Sequence, residues 1–285
     1  MIVTIMSCQK NVERQNAIRK TWAQDIHSPH KYFFFVGGHH KDEIIGDTIY
    51  LNCPDNYRWL PLKQFKGISF VRDIFNPDKT FNCDDDTYVV WDRLKNYKEI
   101  DYTGYPVSSY DGSYSYAHGG AGFFLSRKAM NNLSIFKDTN VVKNHIWADS
   151  LVGLIMHLTG IPFIGDDNFF MGKYNQGKKI MVFDEKNNFI ETKGEGTPAA
   201  FPNKFNKLIT SHFIKPEQFN LIYNHFKYGE KNIDNQYIRN YDFGNVRFFE
   251  NNGLWYFQYQ ENEIGPYESI NAVEEGLIQW MNIIK

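Results

Sequence analysis

Three consecutive carboxylates, Asp84-Asp85-Asp86, are the residues in this chain whose type and spacing most directly suggest chemistry. Three adjacent negative charges after a strand repel one another, and the cost falls only if solvent or a cation relieves it. Oxygen ligands of this kind suit Mn²⁺ or Mg²⁺, ions commonly held by one or two carboxylates together with substrate phosphates. On an extended backbone the side chains alternate, which places Asp84 and Asp86 on one side. The same triplet would also serve as a solvated acidic turn. Asp84-x-Asp86-Thr87 matches, in addition, the nucleophile motif of haloacid dehalogenase-type phosphatases and phosphotransferases, but the preceding run 78–83 is polar for the apolar strand which that chemistry uses.

The elements that must position the triplet read as alternating strands and helices. Ile2–Met6 is a first strand, and a helical pattern follows from about Glu13 to Ala23. Tyr32–Val36 reads as a strand closed by Gly37-Gly38, and Ile49–Leu51 as a shorter one. Leu60–Phe75 carries apolar residues at helical spacing and stops at Asn76-Pro77. Such alternation predicts an α/β fold with a central, mostly parallel sheet flanked by helices. After Asp101, Tyr102–His118 reads as a long aromatic loop, Phe123–Leu125 as a strand, and 128 onward and Asp149–Leu158 as helices. Asp184–Pro202 is polar and glycine-bearing, which reads as a mobile loop. A helix is expected from Pro216 to about Phe226. The expected organisation is one large domain, 1–235, and a small strand-strand-helix appendage, 236–285, packed on it as a stabilising cap. The appendage is composed of Arg247–Glu250, Leu254–Tyr259, a Gly265-Pro266-Tyr267 turn and a helix Ile270–Ile283.

Composition narrows the function. The 285 residues carry a formal net charge of −2 and no long basic run, which argues against nucleic acid as a partner. A hydrophobic content of 42% supports a substantial core, and an aromatic content of 17% suits either that core or sugar-stacking surfaces. Three scattered cysteines do not form a disulfide framework. No apolar run approaches the roughly 20 residues needed to span a bilayer. The expected location is cytoplasmic.

Five segments in order resemble one family. Arg14-Gln15-Asn16-Ala17-Ile18-Arg19-Lys20-Thr21-Trp22 resembles the R-R-x-A-I-R-x-T-W segment of the fringe and β-1,3-galactosyltransferase family, which includes core-1 galactosyltransferases. Asp55-Asn56-Tyr57-Arg58-Trp59-Leu60-Pro61-Leu62-Lys63 is similar to its D-x-Y-x-N-L-T-x-K, and Asp84–Val89 to its D-D-D-x-Y/F-V. The run Gly119–Arg127 resembles G-G-A-G-Y/F-x-L-S-R, and His212-Phe213-Ile214-Lys215-Pro216-Glu217 the late H-x-x-x-P-E. The resemblance covers about residues 1–227.

It implies a GT-A type fold and an inverting, Mn²⁺-dependent transfer of a hexose or N-acetylhexosamine from a UDP-sugar to a glycan hydroxyl, in a β-1,3 linkage. By the same resemblance Asp86 and His212 ligate the metal, and Asp84 and Asp85 hold the ribose or ordered water. Asp149, in Ala148-Asp149-Ser150-Leu151-Val152-Gly153, stands where the family carries its catalytic carboxylate; the preceding glutamate of E-D-V-x-x-G is absent. A base there would take the acceptor hydroxyl proton. As an ordinary acid in the first turn of a helix it would also favour the helix dipole. The remaining donor-side candidates are Ser7, Arg14, Arg19, Asp55, Lys63, Gly119 and Gly120. Arg19 equally suits a structural ion pair, and the glycines a tight turn. Tyr105, Tyr116 and Trp147 are acceptor candidates. A non-catalytic nucleotide-sugar-binding protein of the same fold is the other reading, kept open by Ala148.

Overall fold

The computed structural model describes residues 1–98, 100–171, 179–183, 189–193, 201–202, 207–228, 236–241, 244–251, 254–259 and 262–283. The chain forms two compact units, Met1–Phe219 and Asn220–Lys285.

The first unit contains β1 (Ile2–Met6), α1 (Val12–Arg19), β2 (Lys31–Val36), β3 (Glu43–Ile45), β4 (Thr48–Tyr50), α2 (Leu60–Phe75), β5 (Lys79–Asp84), β6 (Tyr88–Val89) and α3 (Trp91–Leu94). It continues through β7 (Tyr102–Gly104), β8 (Pro106–Ser108), β9 (Ser115–Ala117), β10 (Phe123–Ser126), α4 (Arg127–Ser134), α5 (Asn140–Asn144), α6 (Ala148–Leu158), β11 (Ile164–Gly165) and β12 (Phe169–Phe170). Three short strands follow, β13 (Lys179–Phe183), β14 (Phe189–Lys193) and β15 (Phe201–Pro202), then β16 (Thr210–Ser211) and the start of α7 (Pro216–Tyr228), whose residues from Asn220 on belong to the second unit.

An eight-stranded sheet in the order β11-β7-β10-β5-β1-β2-β4-β3 organises this unit. The α/β expectation therefore holds. Parallel pairings join β5, β1, β2 and β4. Antiparallel pairings bring in β10 on one side and β3 at the far edge. The central strands are buried on both faces, as parallel strands covered by helices must be. Phe34, Ile5 and Val3 lie in one layer, while Phe35, Phe65, Ile68, Phe123 and Leu125 pack in another with α2, α4 and α6. Trp22 is buried, in keeping with a core role.

The polarity of β5, which argues at sequence level against a buried strand, is resolved by pairing. Asn82 is buried at the sheet centre, where Thr4 Oγ1 donates to its Oδ1 at 2.6 Å and its Nδ2 donates to Thr80 Oγ1 at 3.1 Å. A satisfied polar group costs little inside.

Register brings the chemically active segments to one edge. Met6 pairs with Asp84, so β1 and β5 end together and release Ser7 and Asp85 side by side. Because β10 runs antiparallel, its start, Phe123, lies opposite Asn82, and the glycine run before it opens at the same edge. A small sheet, β12-β16-β6, then pairs Ser211 with Tyr88. That carries the chain around residue 212 back to the acidic triplet.

Several local expectations change. The stretch 102–118 is not a loop: β7 joins the main sheet and β8 and β9 form a hairpin. Runs of three residues are too short to show a period of two. The expected mobile loop 184–202 contains β14 and β15, paired with β13; residues 184–188 and 194–200 lie outside the described residues. In the second unit the sheet has four strands, β17 (Gln236–Tyr241), β18 (Gly244–Asn251), β19 (Leu254–Tyr259) and β20 (Asn262–Tyr267), followed by α8 (Ile270–Ile283). Gly265-Pro266-Tyr267 lies within β20 rather than forming a turn, and Val246, Phe248, Phe257, Val273 and Leu277 make this unit's own core. The division between units falls inside α7, after Phe219.

Gly67 in α2 is where packing overrides propensity. A Cβ there would lie 2.4 Å from the ring of Phe35, which is itself buried. Gly67→Ala should gain about 1 kcal/mol of helix propensity but lose about 1–3 kcal/mol to overpacking. A melting temperature lower by about 2–4 °C is expected. The double variant with Phe35→Leu should lose less than the two single losses combined, which a double-mutant cycle will read.

Candidate functional site

A cleft of about 580 Å³ opens at the edge where β1, β5 and the glycine run converge. Its lining includes Ser7, Arg14, Asp55, Lys63, the three aspartates, Gly119, Gly120, Trp147, Asp149 and His212. Residues more than two hundred positions apart thus share one cavity.

The acidic triplet divides into two functions. Asp85 turns inward and is nearly fully buried. Its Oδ2 accepts from Ser7 Oγ at 2.7 Å and Asn11 Nδ2 at 2.8 Å, and its Oδ1 from Arg14 Nη1 at 2.9 Å. Asp85 therefore ties α1 and the end of β1 to β5 while still bordering the cleft. Asp84 and Asp86 face the cleft together. With His212 they form a group whose ligand atoms all lie within 4.8 Å of one another. His212 Nε2 stands 3.0 Å from Asp86 Oδ1 and 3.9 Å from Asp84 Oδ2. Asp84 accordingly joins the ligand group, a place that the sequence reading gave to Asp86 and His212 alone.

The electrostatics describe a cluster in need of positive charge. Burial at the cleft floor, opposed by His212 and reinforced by the charges of Asp86 and Asp85, pushes Asp84 up to about 7. Its side chain keeps 45% exposure, so water in the cleft offsets part of that burial. Burial would also raise Asp86, but His212 and Arg14 hold its carboxyl below the usual range. Arg14 Nη1 lies 3.3 Å from Asp86 Oδ2.

Two carboxylates and an imidazole are a donor set that Mn²⁺ and Mg²⁺ tolerate. His212 Nδ1 is buried without a hydrogen-bond partner. Most ligating histidines are oriented through that second nitrogen; packing does so here. The His212 ring lies 3.8 Å from the Phe213 ring and 5.4 Å from that of His118. Phe213 adopts φ +63°, uncommon for a residue with a Cβ. This bend lets the Ile214 N–H reach the Asp86 carbonyl at 2.8 Å.

The glycine run holds side chains in place. A Cβ on Gly120 would lie 2.2 Å from His212 Cε1, so the imidazole rests directly on this backbone. The Gly119 N–H donates to Asp149 Oδ2 at 3.0 Å, and the Ser150 N–H donates to Asp149 Oδ1 at 2.8 Å. Asp149 lies in the first turn of α6, which packs closely because Gly153 admits Tyr116: a Cβ at 153 would lie 2.1 Å from Tyr116 Cβ.

The other candidates fall into place around this centre. Lys63 is 2% exposed; its ammonium donates to Asp55 Oδ1 at 2.9 Å and to the Ser7 carbonyl. Asp55 also accepts from the N–H groups of Gln9 and Gly37. These two brace the cleft wall. Arg19 is outside the cleft: it grips Asp47 through Nε and Nη2 at 2.7 and 2.8 Å, the structural ion pair. Tyr105 and Tyr116 are also outside the lining; Tyr116 lies under α6 beside Tyr114. Only Trp147 of the acceptor candidates borders the cleft. Sequence reasoning missed Asn11, Tyr57, His118 and Phe213. Tyr57, His118 and Phe213 lie in or beside the quoted motifs, but nothing in their spacing announced a role.

Residues 13–104, which include the arginine, Asp55–Lys63 and triple-aspartate motifs, match the model of the Galactosyltransferase family. No curated protein matches the chain. Among solved structures, the glycosyltransferase GlyE of Streptococcus pneumoniae TIGR4 is similar at 13% identity and TM-score 0.38, over 59% of this chain and 46% of that one. A glycosyltransferase involved in glycosylating the major capsid of PBCV-1 is similar at 14% identity and TM-score 0.38, over 59% and 84%. An active-site mutant of LgtC is similar at 11% identity and TM-score 0.45, over 78% and 95%. The chain thus spans under half the length of the GlyE structure. Among the described residues no helix is long and apolar enough to cross a membrane.

The contact between Gly120 and His212 generates a test. Gly120→Ala should displace the imidazole and weaken Mn²⁺ affinity by about 10–100-fold, as loss of ligand support does. Gly119→Ala, whose Cβ would meet only Asp149 at 3.2 Å, should leave it unchanged. Calorimetric titration with Mn²⁺ separates the two.

Proposed function

We propose that this chain, galactosyltransferase-like over residues 13–104, is an inverting, metal-dependent glycosyltransferase. It moves a hexose or N-acetylhexosamine from a UDP-sugar to a sugar hydroxyl of a glycan or glycoconjugate. The carrying observation is the group Asp84, Asp86 and His212 in one cleft with Asp149. UDP as the nucleotide, Mn²⁺ as the preferred ion with Mg²⁺ as substitute, and a β-1,3 linkage follow from the motif resemblance.

Asp84, Asp86 and His212 would hold the cation. When bound, a divalent ion supplies positive charge to a departing diphosphate. Everything else in the reaction falls to side chains and backbone. Arg14, already beside Asp86, adds a second positive charge at the same place. Direct displacement at the sugar's anomeric carbon needs a base on the acceptor, and Asp149 is the carboxylate in the cleft outside the acidic cluster and the Lys63 pair. Its oxygens accept backbone N–H groups, which aim the carboxylate while leaving lone pairs for the acceptor hydroxyl. That hydroxyl oxygen bonds to the anomeric carbon, its proton passes to Asp149, and the bond to UDP breaks with both electrons leaving on the phosphate. Configuration inverts because attack and departure occur on opposite faces.

Two substitutions separate binding from transfer. Asp86→Ala should abolish Mn²⁺-dependent UDP binding, read by calorimetry. Asp149→Asn should retain that binding and lower sugar transfer by about 10²–10⁴-fold. Transfer at the normal rate in Asp149→Asn would show the base to be elsewhere.

A further inference from the structure

The mouth of the cleft carries two aromatic side chains that neither the metal group nor the base uses. Tyr57 is 62% and Trp147 57% exposed, and both border the cleft. They come from separate segments: Tyr57 begins the 3₁₀ turn before α2, and Trp147 caps the start of α6. Their rings meet edge to face, with centroids 6.2 Å apart and planes at 79°. The two segments are tied together. Arg58 Nη1 donates to the His145 carbonyl at 2.9 Å, and the Trp147 N–H donates to His145 Nδ1 at 3.2 Å. Two large rings held in contact yet left facing water at the cleft offer an aromatic surface on which a ligand can stack.

Their position states which ligand. Trp147 stands two residues before Asp149, and the charges of Asp149 and Asp84 add to burial in raising the Tyr57 phenol. Both rings border the same cleft as Asp149, the carboxylate proposed to receive the hydroxyl proton. A pyranose presents a C–H face that an aromatic ring covers, while its hydroxyls stay directed toward polar groups. A nucleobase would need edge hydrogen-bond partners as well. The neighbouring Ile146 offers no side-chain donor or acceptor, and the Asn56 amide oxygen is occupied by the Arg58 N–H.

We propose that Tyr57 and Trp147 form the acceptor subsite, taking the C–H face of a terminal pyranose so that one of its hydroxyls is brought to Asp149. This rests on the glycosyltransferase reading and names the acceptor class for it. A pyranoside acceptor should bind by its apolar face, and loss of either ring should weaken it by about tenfold without touching the nucleotide site.

The test is saturation-transfer NMR on the full chain with UDP and diamagnetic MgCl₂ present, Mn²⁺ being kept for the calorimetry. Methyl β-D-galactopyranoside is the first probe and methyl β-D-glucopyranoside the second. Saturation of ring C–H protons is expected with the unaltered protein. It should fall strongly in Tyr57→Ala and in Trp147→Ala and persist in Tyr57→Phe, with Mn²⁺-UDP affinity constant to within about twofold. Undiminished saturation in the two alanine variants, or none of either sugar in the unaltered protein, overturns the proposal. A parallel fall in UDP affinity also overturns it, and makes the pair a nucleobase platform. Failure of the unaltered protein to bind Mn²⁺-UDP sinks the glycosyltransferase reading instead, and the calorimetric titration shows that separately from the sugar signal.

Discussion

Three neighbouring negative charges cannot share one strand end without a different answer for each, and the cleft is arranged around those answers. Asp85 is neutralised from inside by Ser7, Asn11 and Arg14. Asp86 draws on His212 and on the edge of Arg14. Asp84 is left facing the cleft, its carboxyl raised by burial against the pull of His212. Removing carboxylates from water without full pairing is costly, so the fold tolerates the triplet only because β1, α1 and β16 each deliver a partner. What remains uncompensated points into the cavity, where a cation fits.

The glycine run couples the two halves of the proposed chemistry. Gly119 donates to Asp149, and the next residue, Gly120, carries the His212 ring on its backbone. Consecutive Cα atoms are about 3.8 Å apart. The backbone supports of the proposed metal ligand and the proposed base are thus one covalent step apart. Thr87 reinforces this by donating to the Gly120 carbonyl at 2.5 Å, which ties the run back to the triplet.

The long helices of both units were legible in the chain. α2 and α8 coincide with their expected bounds, since long amphipathic periods are hard to misread. The weaker readings failed where elements are two or three residues long, as in β7 to β9. The candidate site divides the same way. Asp84, Asp86, His212 and Asp149 come together in one cleft, whereas Arg19, Tyr105 and Tyr116 lie apart from it.

Residue types and order alone determined that a carboxylate cluster, a distant imidazole and a helix-start aspartate exist here, because these depend on chemistry and on motif. Which carboxylate turns inward was decided only by tertiary structure. So were the consumption of Lys63 by Asp55 and Ser7 and the meeting of Tyr57 with Trp147. Those outcomes depend on strand register and on close backbone approach, and both arise from pairings between segments that no local pattern encodes.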